Sequence, residues 1–325
     1  MSDGRRGRSR RALLSLLVAA TLGLSSLGLS SCAAFTDDSP AASGKVSVVA
    51  AFYPLQFVAE TVGGSAVVVT NLTQPGAEPH DLELSIAETA EVSQADVVVY
   101  LNGFQAAVDA AAGQATGEIL DVGPVAGLEE TGHHGHDHEG GEEHESSGEA
   151  GLGDLDPHFW QDPLKLAAVA DAVADRLATV DPDHAADYRA RATDLRADLE
   201  RLDGDFAAGL RSCKRHTVVV SHDAFGYLTR YGLEFESIAG LSPDAEPTPA
   251  DLARLQDLIR SDQITTVFGE RLASPKMAQT LADDLGISMR VLDPIEGLDK
   301  STADEDYLSL MRQNLAELQE ANQCR

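Results

Sequence analysis

The chain has 325 residues, long enough for two compact lobes each with its own core. Apolar residues make up 43% and charged residues 24%, as in ordinary soluble globular proteins. The formal net charge of −29 argues against a nucleic-acid partner, whose phosphates such a surface repels, and it concentrates cations nearby, although acidity also serves solubility alone.

The chain opens with a basic stretch, Arg5, Arg6, Arg8, Arg10 and Arg11, followed by an apolar run from Ala12 to Leu29, the order of a secretory signal. Its end, Leu29-Ser30-Ser31-Cys32, resembles the lipobox of bacterial lipoproteins. That resemblance implies cleavage after residue 31, a lipid on Cys32, and a protein anchored to the membrane outside the cytoplasm. An uncleaved membrane anchor is the other reading of a stretch this long. A polar linker, 32–44, follows. With Cys32 acylated, Cys213 and Cys324 remain in an oxidising compartment, where a disulfide pinning the C-terminal tail is the expected use and two free thiols the alternative.

From residue 45 the pattern is α/β. Val46 to Ala51 reads as a strand, Phe52 to Val62 as a helix opened by Tyr53-Pro54, and Ala66 to Leu72 as a second strand. A loop with Pro75, Gly76 and Pro79 leads to a helix over Ser85 to Gln94, a strand over Asp96 to Leu101 and another over Ile119 to Val122. The Val-rich runs suit parallel strands covered on both faces. Residues 127–153 hold Gly, Glu, Ser and five of the ten His, a composition that buries no core and predicts a flexible loop.

Pro163 to Thr179 is predicted helical, and Pro182 to Leu210 reads as one long helix of about 40 Å, a candidate spine. A break near Gly204 is the alternative. The second half repeats the order: strands over Thr217–Ser221, Glu234–Ile238, Thr265–Phe268 and Met289–Leu292, and helices over Ala224–Tyr231, Ala250–Ser261 (N-capped by Thr248), Pro275–Leu285 and Tyr307–Asn322. The expected organisation is therefore a first lobe over 45–180, a spine helix over 181–211 and a second lobe over 212–325, each lobe a roughly four-stranded parallel sheet with flanking helices.

Outside the flexible loop five His remain. His184 starts the polar long helix and reads as a surface residue, and His216, behind Lys214 and Arg215, reads as structural. His222 directly follows a strand, His80 follows the second strand through a Pro-rich loop, and Asp293 directly follows the last strand, so all three belong to strand carboxyl ends, where parallel sheets bind ligands. His158 sits in Asp156-Pro157-His158-Phe159-Trp160-Gln161-Asp162-Pro163, at a helix entrance with the only Trp. Taken singly, each His is as well explained by a structural hydrogen bond. Taken together, three imidazoles and a carboxylate suit tetrahedral zinc better than manganese, which prefers more oxygen, and a filled four-ligand site suits carriage better than catalysis.

Gly76-Ala77-Glu78-Pro79-His80-Asp81-Leu82-Glu83, the Asp156–Pro163 motif and Ser221-His222-Asp223-Ala224-Phe225-Gly226-Tyr227 resemble the three metal-ligand motifs of the zinc-specific solute-binding proteins of ABC importers (ZnuA/AdcA-like, cluster A-I). Phe268 to Lys276 and Val291 to Leu298 resemble later segments of the same family. The resemblance implies a monomeric, non-enzymatic receptor that hands Zn²⁺ to a membrane permease, with Mn²⁺ as the alternative cargo. It implies two lobes bridged by a rigid helix, with His80 and His158 from the first lobe and His222 and the fourth ligand from the second. Asp293 is the expected fourth ligand, Glu296 the second choice and Glu78 the third. His133, His134, His136, His138 and His144 form an expected accessory site that gathers metal. The readings from other classes are a zinc hydrolase with Asp223 or Glu270 as base, and a metal-containing adhesin.

Overall fold

The structure is a computed structural model and describes residues 44–131 and 151–325. The N-terminal signal, Cys32 and the five loop histidines, His133, His134, His136, His138 and His144, lie outside the described residues.

β1 (Val46–Ala50), β2 (Val67–Asn71), β3 (Val97–Tyr100) and β4 (Glu118–Asp121) form one four-stranded sheet in the order β2-β1-β3-β4. β5 (Thr217–Val220), β6 (Glu234–Ser237), β7 (Thr266–Gly269) and β8 (Ser288–Val291) form a second in the matching order β6-β5-β7-β8. Every pairing is parallel. The inner strands are the Val runs, and Val97, Val98, Val99, Val219, Val220 and Val267 are wholly buried, as helix-covered parallel strands require.

Four helices belong to the first part of the chain: α1 (Tyr53–Gly63), α2 (Ile86–Gln94), α3 (Ala106–Ala112) and the single turn α4 (Gly123–Ala126). α2 starts at a reciprocal capping box between Ser85 and Glu88. α5 (Pro163–Val180) is N-capped by Asp162, whose carboxylate accepts from the Leu164 N–H at 2.8 Å. α6 (Ala185–Leu210) is the long helix, preceded by one 3₁₀ turn over Pro182–His184. It runs through Gly204 without a break and spans about 39 Å.

α6 is polar except for one stripe. Tyr188, Ala192, Leu195, Leu199, Leu202, Phe206 and Leu210 recur in steps of three or four, so they share one face, and all are buried. That face packs on α5 and also meets α1 and the last helix, α9 (Tyr307–Asn322). Arg191 ties the spine to α1 by donating to the Val62 and Gly63 carbonyls at 2.6 and 3.0 Å, which satisfies acceptors orphaned at that helix end. At the other end Cys213 and Cys324 form a disulfide that joins the end of α6 to the chain terminus after α9. The remaining helices are α7 (Pro249–Ser261), with a capping box between Thr248 and Asp251, and α8 (Lys276–Leu285).

Two local expectations differ from the structure. The sequence reading assigns no helix between Leu101 and Ile119, where α3 forms as a short Ala-rich run between Gly103 and Gly113. The helix expected over Ala224–Tyr231 is instead a 3₁₀ segment over Gly226–Tyr231. Only six residues separate the turn after His222 from left-handed Gly232, too few to repay an α-helical nucleus, and i→i+3 bonding fills such short connectors. Among the described residues no helix is long and apolar enough to cross a membrane.

Candidate metal centre

The loop after β2 carries His80. Thr73 donates its hydroxyl to the Ala51 carbonyl at 2.8 Å, and Gln105 donates to both the Thr73 hydroxyl and the Pro79 carbonyl at 3.2 and 3.0 Å. Thr73 and Gln105 are buried, so this relay fixes the loop from beneath. The His80 ring then stands edge-on to Phe104, with centroids 4.8 Å apart. The Glu78 carboxylate folds back on its own loop and accepts the His80 main-chain N–H through both oxygens at 3.0 Å. Burial raises the Glu78 carboxyl above its ordinary value, against the pull of His80.

Each of the other two rings is oriented by a carboxylate on Nδ1. Asp156 Oδ1 accepts both the His158 main-chain N–H at 2.9 Å and its Nδ1 at 2.8 Å. Asp156 is held in turn by Tyr227, whose hydroxyl donates to its carbonyl at 2.9 Å. Gly226 is required beside it, because a Cβ there would lie 2.7 Å from Asp156 Oδ2. His222 leaves β5 through Ser221, and its Nδ1 lies 2.8 Å from Glu270 Oε2 at the end of β7. The other Glu270 oxygen accepts the Ser221 hydroxyl at 2.7 Å. With Nδ1 bonded to Asp156 in His158 and facing Glu270 in His222, each ring presents Nε2 as its remaining donor, the arrangement that orients imidazole ligands around metals.

The three Nε2 atoms converge. His80, His158 and His222 place Nε2 at 3.2, 3.2 and 3.4 Å from one atom, Glu296 Oε1. All four residues offer donor atoms within 4.8 Å of one another. A tetrahedral zinc site with bonds near 2.05 Å has donor–donor edges of about 3.3–3.4 Å. The three distances to Glu296 Oε1 match such edges. The Nε2 contacts of His158 and His222 with Glu296 lack hydrogen-bond geometry, and Glu296 Oε2 has no hydrogen-bond partner among the described residues. Buried polar atoms left this way are costly unless a further group satisfies them. His158, His222 and Glu296 are at most 1% exposed, whereas His80 is 12% exposed and marks the side of access.

The charges of the cluster are interlocked. Burial opposes a charge on Glu296, but the close approach of the His158, His222 and His80 rings prevails and holds its carboxyl well below the usual range. Burial likewise opposes a charged His222, yet the adjacent Glu270 and Glu296 carboxylates prevail and raise it to about 10. His158 is raised for the same reason by Asp156 and Glu296, against complete burial.

The structure brings His80, His158 and His222 together and does not bring in Asp293, the expected fourth member. The Asp293 carboxylate is occupied: Oδ2 bonds Arg271 Nε and Oδ1 accepts the Ile295 N–H, each at 2.8 Å. Glu296, the second choice, stands in the fourth place, and Glu78, the third, reaches only to 3.8 Å from His80 Nε2. His184 lies apart, 2.6 Å from Asp181, and His216 bonds the Gly232 carbonyl at 2.9 Å. The sequence reading overlooked Asp156 as the partner of His158, although its position two residues before that ring was a usable signal. Glu270, the base of the hydrolase reading, has both oxygens engaged by His222 and Ser221.

Residues 48–321 match the protein-family model described as "Zinc-uptake complex component A periplasmic", ZnuA. The chain is 33% identical to the zinc-binding lipoprotein AdcA of Streptococcus pneumoniae over 86% of its own length and 56% of AdcA. It is 29% identical to the high-affinity zinc uptake system protein ZnuA of Bacillus subtilis over 85% of its own length and 88% of that protein. Thus it spans a little over half the length of AdcA. The crystal structure of the Zn(II)-bound ZnuA-like domain of S. pneumoniae AdcA superposes with a TM-score of 0.70 at 29% identity, covering 86% of this chain and 99% of that domain.

Proposed function

Since this chain belongs to the ZnuA family of zinc-uptake components, we propose that it captures Zn²⁺ outside the cytoplasm and delivers it to the permease of an ABC importer. The observation that carries this reading is the convergence of three His Nε2 atoms on Glu296 Oε1 at 3.2–3.4 Å. His80, His158, His222 and Glu296 are the proposed ligands. Three imidazoles with a single carboxylate favour zinc over manganese, whose sites take more oxygen. Cys32 is the proposed lipid-bearing residue, and division into a first lobe, a spine helix and a second lobe around the cleft is part of the same reading. The five His of residues 132–150 supply weak sites that gather zinc for the cleft, so removing them lowers uptake at limiting zinc; unchanged uptake would refute that role.

Zinc binding must displace protons. A metal-free His222 raised to about 10 is protonated at pH 7, and a ligating Nε2 must be neutral. Binding therefore releases at least one proton at pH 7, and the apparent affinity rises about tenfold per pH unit per proton released until pH approaches 10. The sign for the metal-free fold is opposite: a raised His stabilises below its unfolded value of about 6.5 and loses that contribution as pH rises through about 10. Calorimetric titration with zinc in buffers of different ionisation enthalpy reads the proton count directly. Zero protons released at pH 7 would contradict a protonated His222 in the metal-free protein.

A further inference from the structure

Asp293 and Ile295 are not members of the converging set, yet the turn they form carries Glu296 into it. Ile295 has φ of 60° and is fully buried. A β-branched residue avoids this left-handed region, and such strain persists only where the surroundings over-determine it. Here they do. Asp293 Oδ1 accepts the Ile295 N–H at 2.8 Å while Oδ2 is held by Arg271 Nε at 2.8 Å. Asn314 brackets the same residue, accepting the Asp293 N–H at 2.9 Å and donating to its carbonyl at 2.6 Å. The next carbonyl, of Pro294, accepts from Trp160 Nε1 at 2.7 Å and from Gln161 Nε2 at 2.5 Å. Trp160 and Gln161 lie two and three residues after His158 in its motif, so the turn is tied to the segment that supplies a ligand from the other part of the chain.

We infer that Asp293 is a positioning residue for Glu296: clamped by Arg271 and Asn314, its carboxylate holds Ile295 left-handed, and that conformation aims Glu296 at the three imidazoles. The inference rests on the proposed zinc site. Without the carboxylate, Ile295 relaxes toward negative φ and Glu296 swings away, while His80, His158 and His222 keep their own supports. Zinc is then held by three imidazoles and water.

The test is a double-mutant cycle on Asp293→Ala and Glu296→Gln, with zinc affinity read by chelator competition and the bound geometry read by the visible absorption of Co²⁺. Asp293→Ala weakens zinc about 10–100-fold, the range for supporting residues around metal ligands, and moves the Co²⁺ bands as Glu296→Gln does. In the Glu296→Gln background the same change costs less than about threefold, because the two act through one contact. Asp293→Asn keeps the Oδ1 acceptor and retains most of the affinity. Should the Ala variant fail to fold, the smaller loss in Asp293→Asn must likewise vanish in the Glu296→Gln background. Additive losses, as a general packing role gives, overturn the inference, as does an Asp293→Ala protein with wild-type affinity and spectrum. A wild-type protein with no tight zinc, or a Glu296→Gln protein that binds like wild type, overturns the zinc site itself and the positioning role with it.

Discussion

In a chain lacking residues 132–150, replacing His222 by Ala lowers zinc affinity at least about a hundredfold, from one tightly bound ion per chain to none under the same conditions. The His222 ring is wholly buried and offers one of the four converging donors. Glu270, itself buried, loses its ring partner, so the variant is also less stable in the metal-free state, although the helices and sheets remain by circular dichroism. Competition with a chelator of known affinity measures the loss. His184→Ala and His216→Ala, whose rings bond Asp181 and the Gly232 carbonyl, leave affinity within about twofold. Equal losses in all three variants would indicate a general effect of His removal rather than a site.

Replacing Trp160 by Ala costs about 3–5 kcal/mol of folding stability, the range for large buried aromatic side chains. The ring is fully buried among Phe52, Phe104, Phe159 and His158, with centroids 5.1, 6.2, 5.6 and 5.3 Å away. Its indole N–H also donates to the Pro294 carbonyl, and the Tyr307 hydroxyl donates to its main-chain oxygen. Deletion therefore opens a cavity beside His158 and frees one anchor of the turn that carries Glu296. Urea unfolding followed by circular dichroism reads the stability, and zinc affinity falls more than about tenfold in the same protein, as for other residues that support metal ligands. Trp160→Phe keeps most of the packing and loses chiefly one hydrogen bond, about 1 kcal/mol.

The architecture was legible because its signals are local. Val runs marked β1, β2, β3 and β5, and short apolar stretches marked the other four strands, all to within one or two residues, while Pro and capping residues marked helix starts, as at Tyr53-Pro54 and Thr248-Pro249. Three histidines were legible because strand ends and stiff Pro-containing loops are where a parallel sheet presents side chains. Asp293 was placed ahead of Glu296 because adjacency to a strand end was taken as the rule, whereas Glu296 is the carboxylate that converges with the three histidines. Asp-Pro-Ile-Glu-Gly is a turn in which the Asp side chain bonds the backbone two residues on, a habit of Asp in turns, and the left-handed Ile295 then reverses the chain so that Glu296 points inward. That local bond is itself held by Arg271 and Asn314 on Asp293, tertiary contacts that the turn's own sequence does not reveal. The partnership of Glu270 with His222 was hidden for a similar reason, since it joins the ends of β5 and β7, 48 residues apart in the chain but parallel neighbours in the sheet.

Diffraction from zinc-loaded crystals, recorded on both sides of the zinc absorption edge, most directly tests whether one zinc ion binds among His80, His158, His222 and Glu296. A single dominant anomalous peak is expected about 2.0–2.2 Å from the three Nε2 atoms and a Glu296 oxygen. A dominant peak against Asp293, or one held by the histidines of residues 132–150 with the cleft empty, would contradict that arrangement.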